Sequence, residues 1–330
     1  MAFAKSLSGA QTDGRFSGGA WRRIELIQRF GIFTIFLILC VIAGVSSPYF
    51  LTAENLLNVV RQVSVVGVTS LGMTFVILTA GIDLSVGSIL ALTTLAVAGL
   101  KPYGPFVSLA GGMTVALVCG WLNGIITTRG RVQPFIVTLG MMTALVGMGL
   151  AYSGAEPVIG VPRALAWIGR GRLAGVPVQA LLFIVMAVAS AVILRMTRYG
   201  RHVYAVGGNA EAARLSGVPV DRVCVIAYCL SGLFAGLGGL VMSTQLNIGE
   251  ANLGKGLELD AIAAVVVGGT SLSGGVGGIG GTIVGVLLIG VLNNLLNLLN
   301  IPAYTQLIVK GAIIVGAVLI HAQLSRSKGR

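Results

Sequence analysis

After residue 29 the chain consists of long apolar segments separated by short charged ones. A helix needs about 20 apolar residues to cross the hydrocarbon core of a bilayer. Uncharged segments of about this length predict one membrane-spanning helix each at 30–53, 62–82, 84–100, 102–128, 132–155, 173–194 and 223–249. The uncharged segment 261–309 has room for two helices joined by a glycine-rich turn near 269–281, and a last helix near 304–321 contains Lys310. We therefore predict an all-α, polytopic membrane protein with about ten transmembrane helices.

Two glycine-rich turns interrupt the apolar pattern. The sequences GIDLSVG at 81–87 and GTSLSGG at 269–275 share the spacing G-x-[D/S]-L-S-x-G, and each lies between apolar segments. Backbone without helical hydrogen bonds is tolerated at membrane depth only where protein buries it or a watery cavity meets it. The repeat therefore predicts two broken, re-entrant-like segments beside a translocation pathway. The alternative is chance recurrence of a short motif in a chain with 49 glycines.

Composition supports a membrane location and excludes several other classes. The chain is 55% apolar and 10% charged, with a mean hydropathy of +0.95, whereas about a quarter of the residues in soluble domains are charged. The net charge of +12 lies at the edges of the predicted spans, which predicts contact with membrane lipid and no nucleic-acid partner. The four cysteines and two histidines lack metal-type spacing, so no metal site is predicted. Glycines at four-residue spacing indicate close helix packing at Gly277, Gly281 and Gly285.

The distribution of Lys and Arg predicts the orientation of the spans. Residues 1–29 are polar and contain no cleavable apolar core, so we predict a cytoplasmic tail rather than a signal peptide. With ten spans, most Lys and Arg residues fall on the side of both chain ends, which predicts the N-in/C-in orientation. The membrane domain is then 30–322, with a long cytoplasmic loop at 195–222 and a cytoplasmic tail at 323–330. The outer side keeps a minority of basic residues, including Arg163, Arg170 and Arg172.

The sequence shows no energy source of its own. Ion-driven carriers place carboxylates within their spans, but here the acidic residues near the spans lie at predicted ends: Glu54, Asp83, Glu156, Glu250, Glu258 and Asp260. The phosphate-binding pattern G-x-x-x-x-G-K-[S/T] is absent, because Lys255 lacks the required preceding glycine and following hydroxyl. We predict that the chain is not an enzyme and holds no cofactor, and that a separate polypeptide binds ATP and magnesium.

The loop 195–222 is the predicted contact for such a partner. Its segment NAEAARLSG at 209–217 combines an N-cap asparagine, an acidic first turn, alanines and a terminal glycine, which predicts a two-turn helix. A helix this short is marginal without tertiary support, so it rests either on a partner or on the protein's own cytoplasmic face. The residues predicted to make this contact are Gly208, Asn209, Glu211, Ala212, Ala213, Arg214, Ser216 and Gly217.

Several motifs together resemble the permease subunit of ribose/xylose/galactose-type bacterial ABC sugar importers. They are GMTFVI at 72–77, GIDLSVGS at 81–88, TLGMM at 138–142, AVGGN at 205–209 with Ala212-Ala213 and Ser216-Gly217, and VVGGTSLSGG at 266–275. The resemblance covers roughly residues 30–322. One departure is Ala80, where the family often has glycine.

The resemblance implies a permease of the bacterial inner membrane that forms the pathway for a monosaccharide or sugar-like solute. It further implies a second permease copy, a cytoplasmic ATPase with two cassettes, and a periplasmic sugar-binding protein. Segment 209–217 is similar to the family's coupling loop, which sits in a cleft of the ATPase. Two other functions stay open: an ATP-independent facilitator, and a membrane-embedded enzyme acting on lipid-linked sugars. The enzyme would require clustered carboxylates or metal-type residues, which are not evident.

Polar residues of the two turns are candidates for the translocation pathway. Asp83 directly precedes an apolar helix, which favours an N-cap role over contact with a solute. Ser85 is interpreted first as a turn hydroxyl, with sugar contact as the alternative. Ser271 and Ser273 occupy the matching positions of the second turn.

A second group of candidates consists of asparagines in the apolar segment 261–309. Asn293, Asn297 and Asn300 fall at i, i+4 and i+7 and are predicted to share one helix face. Amides in an apolar span need partners, and sugar hydroxyls can both donate to them and accept from them. A pathway-facing stripe is therefore one interpretation, and interhelical hydrogen bonds are the other. For Lys310, a position at the outer interface and a position in a cavity both stay open.

Overall fold

The computed structural model describes residues 18–328, with side chains over 31–316 and at 319. This part of the chain is mostly helical. Its helices are α1 (Gly18–Ser46), α2 (Ala53–Leu78), α3 (Val86–Gly99), α4 (Pro105–Arg129), α5 (Pro134–Ser153), α6 (Ala166–Arg170), α7 (Val178–Met196), α8 (Arg198–Gly208), α9 (Ala210–Leu215), α10 (Val220–Leu246), α11 (Leu257–Val267), α12 (Ile279–Leu298) and α13 (Ala303–Lys328).

Two small antiparallel strand pairs lie in the connections between helices. Strand β1 (Val158–Ile159) pairs with β4 (Ile248–Gly249), and β2 (Arg172–Leu173) pairs with β3 (Val176–Pro177). The first pair joins the long connection between α5 and α7 to the loop that follows α10. The β1–β4 pair therefore links two interhelical loops at one end of the helix bundle.

Each predicted span overlaps a helix, and the predicted mostly helical, membrane-spanning fold is confirmed, whereas the count of ten spans stays a prediction. Within the described residues, six helices are long and apolar enough to cross a membrane: α2, α4, α5, α7, α10 and α12. Shorter apolar helices are formed by α3 and by the apolar parts of α1 and α13. Helix α11 has 11 residues, which corresponds to about 16 Å and about half of the hydrocarbon core. The segment 261–309 therefore contains part of one short helix before its turn, one full-length helix after it and the start of α13.

Helices extend into both predicted tails and into the predicted loop. Helix α1 begins at Gly18, inside the predicted tail 1–29, and residues 1–17 lie outside the described residues. Helix α13 continues to Lys328, so most of the predicted tail 323–330 is helical, and 329–330 lie outside the described part. The loop 195–222 contains α8 as well as the predicted short helix. The cytoplasmic location of these segments stays a prediction.

Helix α10 is the element around which other spans pack. It contacts α2, α3 and α4, and Tyr228 and Phe234 are among the largest fully buried side chains. Small residues allow close approach, since a Cβ on Gly232 would lie 3.0 Å from the Gly120 Cα in α4. Lipid provides no hydrophobic driving force between helices, so close van der Waals contact of this kind, together with interhelical hydrogen bonds, stabilises their association.

The predicted glycine face is found on α12. A Cβ on Gly281 would overlap the Gly268 carbonyl, and a Cβ on Gly285 would overlap the Ala264 carbonyl of α11. Gly277 does not belong to this face, because it lies in the turn before α12 with a φ of +132°. The glycine face therefore begins at Gly281 and lets α12 approach α11 backbone to backbone.

The substitution Gly285→Ala tests this approach. The added methyl group should force α12 away from α11 and destabilise the protein by about 1–3 kcal/mol. Gly280→Ala is the matched control, because a Cβ there meets nothing within 4 Å and alanine is the better helix former. Thermal unfolding midpoints of the detergent-solubilised variants would be compared with that of the wild type. Equal midpoints for both variants would contradict the close α11–α12 packing.

Candidate functional site

The two glycine-rich turns end their preceding helices in the same way. After α2, the N–H groups of Ala80 and Gly81 donate to carbonyls three and five residues earlier, and Gly269 and Thr270 do the same after α11. This pair of hydrogen bonds is the Schellman motif, whose first donor residue has left-handed backbone. That residue is Gly269, with φ +88°, in the second turn and Ala80, with φ +61°, in the first. The first turn thus has alanine at a position that favours glycine.

A side-chain oxygen then bridges each turn. Asp83 Oδ1 accepts a hydrogen bond from the Ser85 N–H at 3.0 Å, and Ser271 Oγ accepts one from the Ser273 N–H at 3.2 Å. The two copies of the motif therefore share a local hydrogen bond as well as a spacing. This likeness argues against chance recurrence of the pattern.

Asp83 is fully buried and joins three helices. Its Oδ1 accepts from Ser85 Oγ at 2.6 Å and from Asn123 Nδ2 of α4 at 3.4 Å, and its Oδ2 accepts from Ser231 Oγ of α10 at 2.8 Å. Asn123 Nδ2 also donates to Ser85 Oγ at 2.7 Å. The predicted N-cap role is wrong, since the residue before α3 is Ser85. The carboxyl group instead accepts hydrogen bonds from α4 and α10, because a buried polar group requires hydrogen-bond partners.

The two turns and α8 meet at one end of the bundle. The Gly275 N–H donates to the Leu78 carbonyl at 3.0 Å, and a Cβ on Gly207 would overlap both of these groups. We call this contact of Leu78, Gly207 and Gly275 the backbone junction. Nearby, Tyr204 Oη donates to the Gly277 carbonyl at 3.0 Å, and burial raises the pKa of Tyr204, so its hydroxyl stays protonated. Movement of α8 would therefore act directly on both turns.

Side-chain caps define the two helices that precede α10. Thr197 Oγ1 accepts from the Gly200 N–H at 3.2 Å at the start of α8. Asn209 Oδ1 accepts from the Ala212 N–H at 2.9 Å at the start of α9, and Gly217 takes left-handed backbone, with φ +82°, after its end. The cap and stop positions of the predicted short helix are therefore those of α9.

Helix α9 has one face on the protein and one face open. Ala213 is buried and Arg214 pairs with Asp221 of α10 at 3.0 Å, whereas Leu215 is 86% exposed. Glu211 lies on the exposed side, 4.0 Å from Arg214. The protein's own surface thus supplies the support that a two-turn helix needs, and the open face is free for a partner.

Two polar chambers lie at the opposite end of the bundle. Helix α12 leads from the second turn to them over 20 residues, which is about 30 Å. The larger chamber has a volume of about 410 Å³ and is lined mostly by amide side chains: Asn55, Asn58, Arg61, Gln62, Gln245, Asn294, Asn297 and Leu298. A chamber of this size falls within the range of small-molecule sites, about 300–1,000 Å³.

The smaller chamber lies one helical turn deeper and shares Gln62 and Asn297 with the larger one. Its volume is about 220 Å³, and it is lined by Gln62, Val66, Asp260, Gly290, Asn293, Asn297, Gln306 and Lys310. Lys310 Nζ lies 2.9 Å from each oxygen of Asp260. Among the described residues no group of three or more His, Cys, Asp or Glu side chains is arranged to hold a metal ion.

Comparison with known proteins identifies the class of this chain. Residues 55–318 match the family described as the branched-chain amino acid transport system / permease component. The chain belongs to this family. It is 45% identical over 304 residues to the ribose import permease protein of Bacillus subtilis, covering 91% of this chain and 94% of the relative. It is 37% identical to the D-allose transport system permease protein of Escherichia coli K12, over 91% of this chain and 93% of the relative.

A third relative is the L-arabinose ABC transporter permease protein of Azospirillum brasilense, which is 35% identical and covers 96% of this chain and 93% of the relative. No solved structure matches the chain significantly. The chain is thus a permease component and a multi-pass membrane protein, as the sequence predicted.

The predicted pathway residues of the permease fall into two separate groups. Ser85 and Ser271 are buried at the turns with Asp83, and Ser273 is exposed there. Asn293 and Asn297 line the smaller chamber. Asn300 does not share their helix face, because α12 ends at Leu298 and Asn300 has left-handed backbone, with φ +55°.

Asparagines of α12 make interhelical hydrogen bonds and also line a chamber. Asn294 forms a reciprocal amide pair with Asn55 of α2, at 3.0 and 2.7 Å, which is the interhelical alternative. Asn293 donates to Asp260 at 3.4 Å and also lines the smaller chamber.

Residues on the other side of the two chambers were not predicted from the sequence. Asn55, Asn58 and Gln62 recur at i, i+3 and i+7 near the start of α2 and so share one face, a pattern that was present in the sequence. Gln245 and Gln306 are lone amides at the edges of apolar segments. No local pattern connects them to α12, because they lie on different helices.

Removal of the Asp83 carboxylate tests the cluster at the first turn. Asp83→Leu leaves the donors of Ser85 and Ser231 without their acceptor, each at a cost of about 1–3 kcal/mol, while Asn123 keeps Ser85 Oγ as its acceptor. We expect a strong loss of folded protein. Asp83→Asn keeps an acceptor oxygen and should stay closer to the wild type. Size-exclusion profiles and unfolding midpoints in detergent would be measured. Equal stability of the leucine variant and the wild type would contradict the linking role.

The substitution Gly207→Ala tests the backbone junction. The added methyl group collides with the Leu78 carbonyl and Gly275 N–H, so α8 should lose contact with both turns and transport should fall several-fold. Gly280→Ala in α12 is the control, because a Cβ there meets nothing within 4 Å and the residue lies outside the predicted contact segment 208–217. Solute uptake and the level of assembled protein would be measured for both. Equal uptake by the two variants would contradict transmission through the junction.

Proposed function

We propose that this permease forms the translocation pathway of an ATP-driven importer for a monosaccharide or a similar neutral solute. The relatives with over 90% mutual coverage are named for import or transport of ribose, D-allose and L-arabinose. The observation that carries the proposal is the amide lining of the two chambers in a chain with these relatives. The permease lies in the inner membrane of its cell.

The chamber linings favour a sugar over a branched-chain amino acid, which the family description names. An aliphatic side chain would need an apolar pocket, but the larger chamber has Leu298 as its one aliphatic lining residue. Amides both donate and accept hydrogen bonds, which suits the hydroxyl groups of a sugar. The chambers thus match a neutral, hydroxyl-rich solute.

The proposed topology has ten spans with both chain ends in the cytoplasm. Both turns contact α8 of the basic loop 195–222, so all three belong to one membrane face, and the positive-inside rule assigns that face to the cytoplasm. The chambers then open toward the outside. The short helices α3 and α11 would each complete their crossing together with the turn beside them, as broken helices do in transporters.

The proposed partners act at the two ends of the bundle. A separate cytoplasmic ATPase with two cassettes, which binds ATP and magnesium, would contact the open face of α9, with Gly208 and residues 209–217 as the coupling segment. A periplasmic sugar-binding protein would deliver the solute at the chamber end. A second copy of the permease would complete the pathway. This chain itself then needs no cofactor.

The contacts around α8 give a physical route for coupling. Arg214 holds α9 to the start of α10, and α8 follows the movement of α9 because a single residue, Asn209, separates them. Gly207 of α8 would then displace the Leu78 and Gly275 groups of the two turns. In this proposal Asp83, Ser85, Ser271 and Ser273 border the cytoplasmic end of the pathway, and Asn293, Asn297 and Asn300 border its outer end.

Uptake by the reconstituted complex tests the proposed function. The permease would be purified with its ATPase, placed in proteoliposomes with the binding protein, and supplied with labelled D-ribose, L-arabinose, D-allose or leucine. We expect at least one sugar to accumulate against its gradient, and only when ATP is present on the side of the membrane that carries the ATPase. Leucine should not accumulate.

Other outcomes identify the alternative functions. Uptake that persists without ATP and stops at equal concentrations would favour a facilitator. Accumulation by the permease alone would reject a separate energy source. Chemical change of a lipid-linked sugar by the purified chain would favour a membrane-embedded enzyme.

A further inference from the structure

The smaller chamber contains a partly enclosed ion pair that the proposed pathway does not explain. The side chains of Lys310 and Asp260 are 20% and 12% exposed, whereas the other ion pairs among the described residues lie on exposed side chains of the α9 region. Lys310 is in α13 and Asp260 is in the first turn of α11. Charges at membrane depth are costly, and they commonly mark solute or ion pathways.

Several polar groups around this ion pair make fewer hydrogen bonds than they can. Asn293 Nδ2 donates to Asp260 Oδ2 over a long 3.4 Å, and the buried Asn293 Oδ1 has no hydrogen-bond partner in the described part of the chain. On the facing side, Gln306 Nε2 donates to Asn297 Oδ1 at 2.9 Å. A carboxylate can accept about four hydrogen bonds and an ammonium group donates three. The chamber therefore offers both acceptors and donors to an entering solute.

The chemistry of these groups specifies the solute. A hydroxyl group donates one hydrogen bond and accepts others, so adjacent sugar hydroxyls could donate to Asp260 and to Asn293 Oδ1 while accepting from Lys310. The ion pair as a whole is neutral. An anionic sugar acid would face Asp260 and a cation would face Lys310, and like charges in a poorly solvated site are strongly unfavourable.

We propose that Asp260, Lys310 and Asn293 form a specificity-determining subsite that contacts the hydroxyls of a neutral monosaccharide during its passage. The inference rests on the proposed function and deepens it, since it assigns part of the selection among sugars to the permease. The larger chamber admits the solute through its amides, and the smaller chamber contacts it through charged hydrogen bonds, which are stronger than neutral ones.

Two double substitutions separate this role from a structural one. Asp260→Leu with Lys310→Met removes both charges together, and a buried ion pair replaced by apolar residues of similar size is often neutral for stability. Asp260→Asn with Lys310→Gln keeps polar groups at the same positions. Each variant would be reconstituted with its ATPase and binding protein. Uptake of D-ribose, L-arabinose and D-allose would be measured beside the ATPase rate that the loaded binding protein stimulates.

We expect the apolar double variant to lose uptake by about tenfold or more, since hydrogen bonds to charged groups are lost, while its stimulated ATPase rate stays near that of the wild type. The polar double variant should retain more uptake and change the ratio of rates between two sugars by about threefold or more. Asn252→Ala, at an exposed position in the loop after α10, is the control and should change neither quantity.

The results that would contradict the subsite differ from the results that would reject the proposed function. Wild-type uptake of all three sugars by the apolar double variant would overturn the subsite while leaving the importer intact. An unchanged sugar ratio in an assembled polar variant would also overturn it, as would loss of assembly in both doubles. If the wild-type complex accumulated none of the sugars with ATP, the importer function itself would be rejected, and the subsite with it.

Discussion

Backbone groups at a break in a membrane helix must find partners inside the protein, and the backbone junction meets this requirement. The Leu78 carbonyl, freed at the end of α2, accepts from the Gly275 N–H of the second turn. The two breaks therefore satisfy each other, which is possible only where no side chain separates them. Gly207 brings α8 to the same contact. A water-exposed loop would not need such an arrangement, because water would supply the partners.

The two ends of the bundle differ in packing and polarity. The end with the turns is closely packed, and Asp83 joins the first turn to α4 and α10 through donors that leave the carboxylate no exposure. The end with the chambers is open and polar, and its amides are supplied by several helices. Helices α2 and α12 run between these two ends, so they connect the backbone junction to the chambers.

Much of the architecture could be predicted from hydropathy and short motifs. Local properties of the sequence predicted the apolar segments, the two breaks and the helix over 209–217, and the structure has helices and turns at those positions. One error arose because a residue acts through distant partners, and another because a helix ends before the predicted position. Asp83 precedes a helix and so resembled an N-cap, but its partners Asn123 and Ser231 lie on other helices. Asn300 fitted the helical spacing, yet the helix ends before it.

The sequence by itself determined that this chain is a helical membrane protein with two glycine-rich breaks, because apolar length and glycine spacing are local properties of the chain. Its motifs added the resemblance to sugar permeases. Only the tertiary structure decided that the turns touch each other, that Lys310 pairs with Asp260, and that amides of α2 and α12 face shared chambers. These contacts depend on how each helix is rotated and which helix lies beside it. The rotation and the neighbours of each helix depend on packing among small residues across the whole bundle, and no local sequence pattern predicts this packing.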